Sequence, residues 1–258
     1  MIRYPLIVLL SLVVTGCTAV PTSFTPSDPI PPARFSHERW QDLLHAHVHD
    51  GLVDYPAIGR EGQLASYLAL LDRVDPNQLP ANDRLAFWIN AYNAFAVKGI
   101  LDGYSPATLF GRYRYFIARD YQVGGQAINL YDLERAILIA RFHEPRIHFS
   151  IVCASASCPT LQPWAYEGHQ LDRQLDRVTR DFINDPSRNR FDRAKKTASL
   201  SMIFKWFEQD FVAHSGSVIE FVRRYIQDPA LMQELQTQPY EVEFLDYDWS
   251  LNGPPPGR

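Results

Sequence analysis

Two cysteines and one histidine lie close together in the segment His148–Pro159, where they could support thiol chemistry. A cysteine becomes a strong nucleophile as the thiolate, and a neighbouring imidazole can act as the base that removes its proton. The remaining cysteine, Cys17, follows an N-terminal apolar run. Thiol chemistry in the folded domain would therefore have to use Cys153 or Cys158.

The position of the histidine relative to the two sulfurs favours the second cysteine as nucleophile. The apolar run over residues 146–152 predicts a strand, in which side chains alternate between faces. His148 and Cys153 would then point to opposite faces, about 16 Å apart along a strand that rises ~3.3 Å per residue. Cys158 follows a loop of small residues that can return it toward His148. We therefore rank Cys158 above Cys153 as the nucleophile and expect Cys153 in the core.

The sequence leaves three states of this cysteine pair open. In an oxidising compartment, Cys153 and Cys158 can form a disulfide that consumes both thiols. One of them can instead stay free and reactive, or both can pack as small apolar side chains. The spacing His-x4-Cys-x4-Cys matches no common zinc site, so neither a metal nor another cofactor is predicted.

Three further side chains are candidates for supporting roles. Asn90 and Asn93 stand three residues apart on one face of an apolar helix, where a buried amide without partners would cost about 1–3 kcal/mol. They could orient the histidine or polarise a substrate carbonyl, or they could bond neighbouring backbone groups. Glu134 lies near the start of a predicted helix, where the helix dipole stabilises a carboxylate, and it could also orient His148.

The N-terminus has the order of features found in a bacterial lipoprotein signal peptide. A basic start is followed by an apolar run over residues 5–14 that is too short to span a bilayer. Residues 14–17, Val-Thr-Gly-Cys, resemble a lipobox, the signal at which a cysteine is acylated and becomes the first residue. We therefore predict a signal peptide over residues 1–16 and a lipid anchor, with fatty acids such as palmitate, on Cys17. Each buried CH₂ group contributes about 0.8 kcal/mol, so several acyl chains would hold a soluble domain at a membrane.

The expected location is the bacterial cell envelope. Thr18 follows the cysteine, and an aspartate at this position would resemble an inner-membrane retention signal. Its absence favours the outer membrane, facing the periplasm. The expected partners are the membrane, through the lipid on Cys17, and an envelope peptide or protein. The net charge of -4 gives no basic surplus, so nucleic acid is not expected as a partner.

The rest of the chain predicts one globular domain, since 46% of the residues are hydrophobic and 21% are charged. The proline-rich residues 17–33 predict a tether, residues 34–252 the domain, and residues 253–258 a loose tail. Residues 84–101 are apolar almost all round and predict a buried central helix. The predicted fold class is α+β, a mainly helical single domain with a small mixed or antiparallel sheet. The other predicted elements are helices over 36–50, 63–73, 130–142, 170–184 and 202–207, a hairpin over 121–128, and strands over 146–152, 197–200 and 240–245.

Several motifs together resemble those of the domain of unknown function 547 family. They are Leu85–Ala94, Ile128–Glu134 and His148–Pro159, with Gly51–Tyr55, Leu200–Phe207 and the following Asp210-Phe211 in support. Members of this family, whose name states no activity, occur as bacterial envelope proteins and inside larger plant proteins. Val152 is a departure, because we expect a polar residue there in many relatives. The resemblance implies a set of site residues, which are Asn90, Asn93, Glu134, His148, Cys153 and Cys158.

Two functions follow from these patterns. The first is a membrane-anchored cysteine hydrolase or acyltransferase that attacks an amide or thioester carbonyl. Its nucleophile would be Cys158 or Cys153, and its base would be His148. Glu134 or Asn93 would orient the base, and Asn90 would donate a hydrogen bond to the oxyanion. The alternative is a non-catalytic envelope adaptor or binding lipoprotein, in which Cys153 and Cys158 form a structural disulfide and aromatic side chains line a groove for a partner.

Overall fold

One long helix forms the centre of the fold, and shorter helices and small sheets surround it. The computed structural model describes residues 20–256, so the predicted signal peptide and Cys17 lie outside the described residues. The α-helical segments of this part are α1 (Glu38–His47), α2 (Tyr55–Arg60), α3 (Gln63–Leu71), α4 (Ala81–Leu101), α5 (Leu109–Phe116), α6 (Leu130–Asp132), α7 (Ala140–Phe142), α8 (Leu171–Ile183), α9 (Met202–Trp206), α10 (Glu208–Ser215), α11 (Val218–Arg223) and α12 (Pro229–Thr237). A π-helical segment, Leu133–Ile139, joins α6 to α7, and short 3₁₀ helices cover Pro32–Arg34, Pro76–Gln78, Pro145–Phe149 and Gly168–Gln170.

The strands form three small sheets. They are β1 (Val48–His49), β2 (Leu52–Val53), β3 (Asp120–Val123), β4 (Gln126–Asn129), β5 (Arg190–Asp192), β6 (Thr197–Leu200) and β7 (Glu241–Phe244). β1 pairs with β2 and β3 with β4, each time antiparallel, whereas β5, β6 and β7 form a mixed sheet in which β6 and β7 run parallel. The predicted α+β class, mainly helical with small mixed or antiparallel sheets, is confirmed.

Helix α4 is enclosed because its whole circumference is apolar. Fifteen of its 21 residues are buried, among them Phe87, Trp88 and Phe95. A helix with apolar side chains on all sides can only be stable when neighbours cover every side. The prediction of a buried central helix is confirmed, and the helix begins three residues earlier than predicted, directly after Pro80.

The first predicted helix is shorter than its apolar spacing indicated. α1 ends at His47, and the chain then makes the β1–β2 hairpin, with Val48 opposite Val53. Asp50 and Gly51 form the turn with positive φ angles of 50° and 80°. Glycine adopts such angles without steric cost, so Gly51 favours this turn over a further helical residue.

The strand predicted over residues 146–152 is wrong. This segment begins as a 3₁₀ helix, Pro145–Phe149, and continues without regular structure. Proline at the first position fixes a helical φ. The Glu144 side chain accepts a hydrogen bond from the Arg146 N–H, which satisfies a free donor at the start of the helix. The apolar residues of this segment are therefore buried without forming a ladder.

The predicted tether contacts the domain from Val20 onward. Phe24 is only 5% exposed, and its ring centroid lies 5.4 Å from that of Trp88. Arg141 donates to the carbonyl oxygen of Pro21 at 2.8 Å. These residues therefore belong to the packed structure rather than to a free linker.

The C-terminal residues also lie on the domain. Asn252 is buried and accepts a hydrogen bond of 2.7 Å from the Tyr55 hydroxyl. Gly253 lies directly against the backbone of Val53. None of the helices between residues 20 and 256 has both the length and the apolar composition that a membrane-crossing helix needs.

Candidate functional site

The segment that carries His148 and the cysteines is fastened to α4 by one amide side chain. Asn93 Nδ2 donates to the carbonyl oxygen of Ser150 at 2.9 Å. The backbone N–H of Val152 donates to Asn93 Oδ1 at 2.9 Å. A neighbouring strand would make the same two bonds, so buried Asn93 stands in for the missing strand partner.

Asn90 does the same for a second segment. Its Nδ2 donates to the carbonyl oxygen of Tyr166 at 2.8 Å, and its Oδ1 accepts from the Tyr166 N–H at 2.9 Å. Both predicted amides of α4 are therefore engaged with backbone groups. The oxyanion role predicted for Asn90 and the orienting role predicted for Asn93 do not fit this geometry.

Cys153 and Cys158 are joined in a disulfide, with their Cα atoms 6.1 Å apart. Cys158 is 4% exposed, whereas Cys153 is partly exposed. The backbone N–H of Cys153 donates to Cys158 Sγ at 2.8 Å. The Ser155 and Tyr247 hydroxyls lie 3.1 Å and 3.3 Å from Cys153 Sγ. Of the three states that the sequence left open, the structure has the bridged one, in which neither sulfur is available as a nucleophile.

His148 is paired with a carboxylate that the sequence analysis did not select. Its Nε2 donates to Asp210 Oδ2 at 2.8 Å. Nδ1 has no hydrogen-bond partner within the described residues, although it is buried. Burial lowers the pKa of His148 even though Asp210 opposes this shift. The bond from His148 in turn holds the pKa of Asp210 below its usual value. The ring is therefore neutral near pH 7, with its proton on Nε2 and its lone pair on Nδ1.

Glu134 does not orient His148. Its Oε2 accepts a hydrogen bond of 3.2 Å from the Tyr92 hydroxyl of α4. Burial raises the pKa of Glu134, and the neighbouring Arg135 partly opposes this. Glu134 lies in the π-helical segment, a form of helix that occurs often at functional sites.

These groups meet at one cavity of about 110 Å³. Four of the six predicted site residues line it, namely Glu134, His148, Cys153 and Cys158. Asn90 and Asn93 do not. The other walls are largely aromatic and are formed by Tyr92, Phe116, Trp206, Phe207, Tyr247 and Trp249. We call this cavity the disulfide pocket.

Three residues at or beside the disulfide pocket were not assigned to the site from the sequence. Asp210, which pairs with His148, was noted only as part of a family motif, and an acidic residue in the first turn of a helix has a sufficient reason in the helix dipole. Tyr247 and Trp249 stand in a short C-terminal segment without periodicity. The available signal was that Tyr247 and Trp249 are aromatic residues two positions apart near the end of the chain. Between residues 20 and 256, no group of three or more His, Cys, Asp or Glu side chains is arranged to hold a metal ion.

Comparison with known proteins supports one family. The sequence model of the family described as "Protein of unknown function, DUF547" matches residues 76–183. The matched part contains α4, Glu134, His148 and both bridged cysteines, but it ends before Asp210 and the C-terminal aromatic residues. No curated protein and no solved structure matches the chain.

Proposed function

We propose that this protein, whose residues 76–183 match the DUF547 family, is a lipid-anchored envelope protein that binds a partner through the disulfide pocket. The proposal adopts the second function considered above, a binding lipoprotein anchored through Cys17. The observation that carries it is the disulfide Cys153–Cys158 in the wall of an aromatic cavity. It removes both thiols of the domain from catalysis, whereas the cavity beside it remains available to a ligand.

The size and lining of the pocket indicate a small apolar group as the ligand. At about 110 Å³ the cavity is smaller than the ~150 Å³ apolar cavity that holds benzene. It suits a group of a few carbons, such as the valine or leucine side chain of an envelope peptide or protein. Glu134 and His148 supply polar atoms at the wall, which could bond the amide of the same residue.

Binding can be measured with N-acetylated amino acid amides as probes. We expect the leucine and valine amides to shift the indole N–H resonances of Trp206 and Trp249 in NMR spectra, and the aspartate amide to leave them unchanged. Trp164 lies outside the disulfide pocket and serves as the internal control. Ile203→Phe, which fills the pocket, should weaken the effect. Equal shifts at Trp164, or no shift with any probe, would count against the pocket as a binding site.

The anchor is tested separately. Cells fed a palmitate analogue should label the wild-type protein, and the labelled protein should be found in the membrane fraction. Cys17→Ser removes the acceptor thiol, so the label should be lost. A variant that is still labelled, or a wild-type protein that is never labelled, would contradict the anchor and leave the pocket proposal standing.

A second candidate is the cysteine hydrolase or acyltransferase, which requires that the disulfide is open in the isolated protein and that one sulfur is a free thiol. What favours it is that both sulfurs line the same cavity as His148, whose Nδ1 has no partner in the described part of the chain. In this function Asp210 rather than Glu134 or Asn93 would orient the base.

The thiol state separates the two candidates. We expect the Cys17→Ser protein, isolated without reductant, to resist alkylation by iodoacetamide near neutral pH. Reduction should increase its mass by about two daltons, because two hydrogens are added when a disulfide opens. A thiol that alkylates rapidly before reduction would favour the hydrolase instead.

A further inference from the structure

We propose that the exposed face of α5 is a membrane-contact surface that lies on anionic lipid. Nine large hydrophobic side chains are exposed among the residues that the structure describes, and four of them fall within residues 109–117. They are Leu109 at 81%, Phe110 at 70%, Tyr113 at 53% and Ile117 at 43% exposure. At 100° per residue these four positions span one stripe about 100° wide. Four of these nine exposed side chains thus lie on one face of α5 and the residue that follows it, which we call the α5 stripe.

The charges beside the α5 stripe point to an anionic partner. Residues 109–119 contain three arginines and no acidic residue, in a chain of net charge -4. Arg119 forms an ion pair with Asp102. Arg112 and Arg114 form no ion pair with any acidic side chain of the described residues, and they stack on the rings of Trp249 and Tyr104 instead. Their charge remains available to a surface outside the molecule.

Apolar, aromatic and arginine side chains on one short face are the combination that binds at a lipid interface. Leucine and phenylalanine enter the boundary between headgroups and acyl chains, and tyrosine remains at headgroup level. Each unpaired arginine close to an anionic surface raises the affinity about fivefold. A protein partner would also cover the apolar side chains, but the unpaired arginines favour the anionic bilayer as the occupant.

The chain lengths between Cys17 and this face allow both to lie at one bilayer. Val20, the first described residue, follows Cys17 by three residues, a span of about 10 Å at most. Phe24 lies against Gly124, the turn of the β3–β4 hairpin. Ile117 precedes Gly124 by seven residues, which limits the distance between them to about 25 Å. The α5 stripe and the anchor can therefore reach the same membrane.

The test uses the chain from residue 17 onward with Cys17→Ser, so that neither the predicted signal peptide nor a lipid contributes and the result is independent of the proposed anchor. Sedimentation is measured with vesicles of phosphatidylcholine alone and with vesicles containing 30% phosphatidylglycerol. We expect at least tenfold tighter binding to the anionic vesicles, and weaker binding as salt is raised. Arg112→Gln with Arg114→Gln should reduce binding to the anionic vesicles about 25-fold, as two fivefold effects multiply.

The apolar contribution and the controls complete the experiment. Leu109→Ser with Phe110→Ser should reduce binding by tenfold or more at both lipid compositions. Leu52→Ser changes an exposed apolar side chain elsewhere, and Arg39→Gln with Arg60→Gln changes two exposed arginines, so these should bind like the parent.

Three outcomes would overturn the proposal. The first is a parent chain that sediments with neither vesicle. The second is a set of α5 variants that bind as tightly as the controls. The third is a parent chain that elutes as a dimer in gel filtration and becomes monomeric with Leu109→Ser and Phe110→Ser, because a second copy would then be the occupant of the α5 stripe.

Discussion

Asn93 is the single side chain on which the placement of the cysteine segment depends most directly. It satisfies a buried carbonyl and a buried N–H, those of Ser150 and Val152. Asn93→Ala would leave both without partners, at about 1–3 kcal/mol for each group. We expect the free energy of unfolding, measured by urea denaturation, to fall by about 2–5 kcal/mol.

Asn77→Ala is the control. It removes one exposed hydrogen bond to the carbonyl oxygen of Thr22 and should lower the free energy of unfolding by less than ~0.5 kcal/mol. Equal losses in the two variants would contradict this role.

His37 makes the stability of the protein depend on pH. It is buried beneath Phe35 and bonded through Nδ1 to the Tyr67 hydroxyl at 2.7 Å. Burial lowers the pKa of His37 from 6.5 to about 3. Between these two values the unfolded chain holds a proton that the folded chain does not, so stability decreases as the pH falls. The slope from this group is about 1.4 kcal/mol per pH unit.

The contribution of His37 can be isolated by comparing slopes. We expect the wild-type free energy of unfolding to decrease between pH 6 and pH 5 by about 1.2 kcal/mol more than that of His37→Gln. His148, whose pKa is also lowered, changes stability in the same direction and is common to both proteins. Asn77→Ala, which changes no titratable group, should keep the wild-type slope. A His37→Gln protein with an unchanged slope would show that the histidine titrates normally.

At the scale of elements, the predictions from the sequence are correct for helices and hairpins that depend on a local pattern. They fail where a distant side chain takes the place of a backbone hydrogen-bond partner. The all-round apolar residues of α4 and the Gly124–Gly125 turn between β3 and β4 each have a local cause, and both predictions are confirmed. The apolar run 146–152 does not differ in pattern from a strand. Its first part is a 3₁₀ helix, which Glu144 and Pro145 favour locally. Its last residues are irregular, and Asn93, more than fifty residues earlier, provides two bonds of a ladder there. No window of the sequence contains that distant contact.

Gly99 lets α4 lie close to its neighbours. A Cβ at this position would come within 2.7 Å of the Tyr121 hydroxyl oxygen and 2.8 Å of Tyr115 Cε2, both on buried side chains. Gly99→Ala gains ~1 kcal/mol of helix propensity, but overpacking on two rings should outweigh it and leave a net loss of about 1–2 kcal/mol.

Gly62, at the start of α3, is the matched control for Gly99→Ala. Its φ of -76° suits alanine, and nothing lies within 4 Å of an added Cβ. Gly62→Ala should therefore raise the free energy of unfolding by about 0.4–1 kcal/mol. The two substitutions are chemically identical, so a shift of the same sign in both thermal midpoints would refute the close approach at Gly99.

At the scale of the whole molecule, the disulfide pocket is assembled from segments that are far apart in the sequence. Glu134, the segment 148–158 and the pair Tyr247 and Trp249 meet only because the C-terminal residues return across the domain. Sequence motifs identified the groups that carry polar or sulfur atoms. They contained Asp210 but could not assign it to the site, since its pairing with His148 depends on how α10 packs against the 3₁₀ helix Pro145–Phe149.

The N-terminal segment is predicted to contribute to global stability. Phe24 is 5% exposed, packs with its ring tilted against that of Trp88 and lies against Gly124. Phe24→Ala would leave a cavity in the core, and large-to-small changes of this kind cost about 3–5 kcal/mol. Truncating a residue in a free tether would leave the free energy of unfolding unchanged.

Phe110→Ala, at 70% exposure, is the matched control and should change the free energy of unfolding by less than ~0.5 kcal/mol. The free energies of unfolding of the two variants are measured by urea denaturation. Equal values would mean that the chain before residue 34 is a free linker. The short path from Cys17 to the domain surface would then be contradicted.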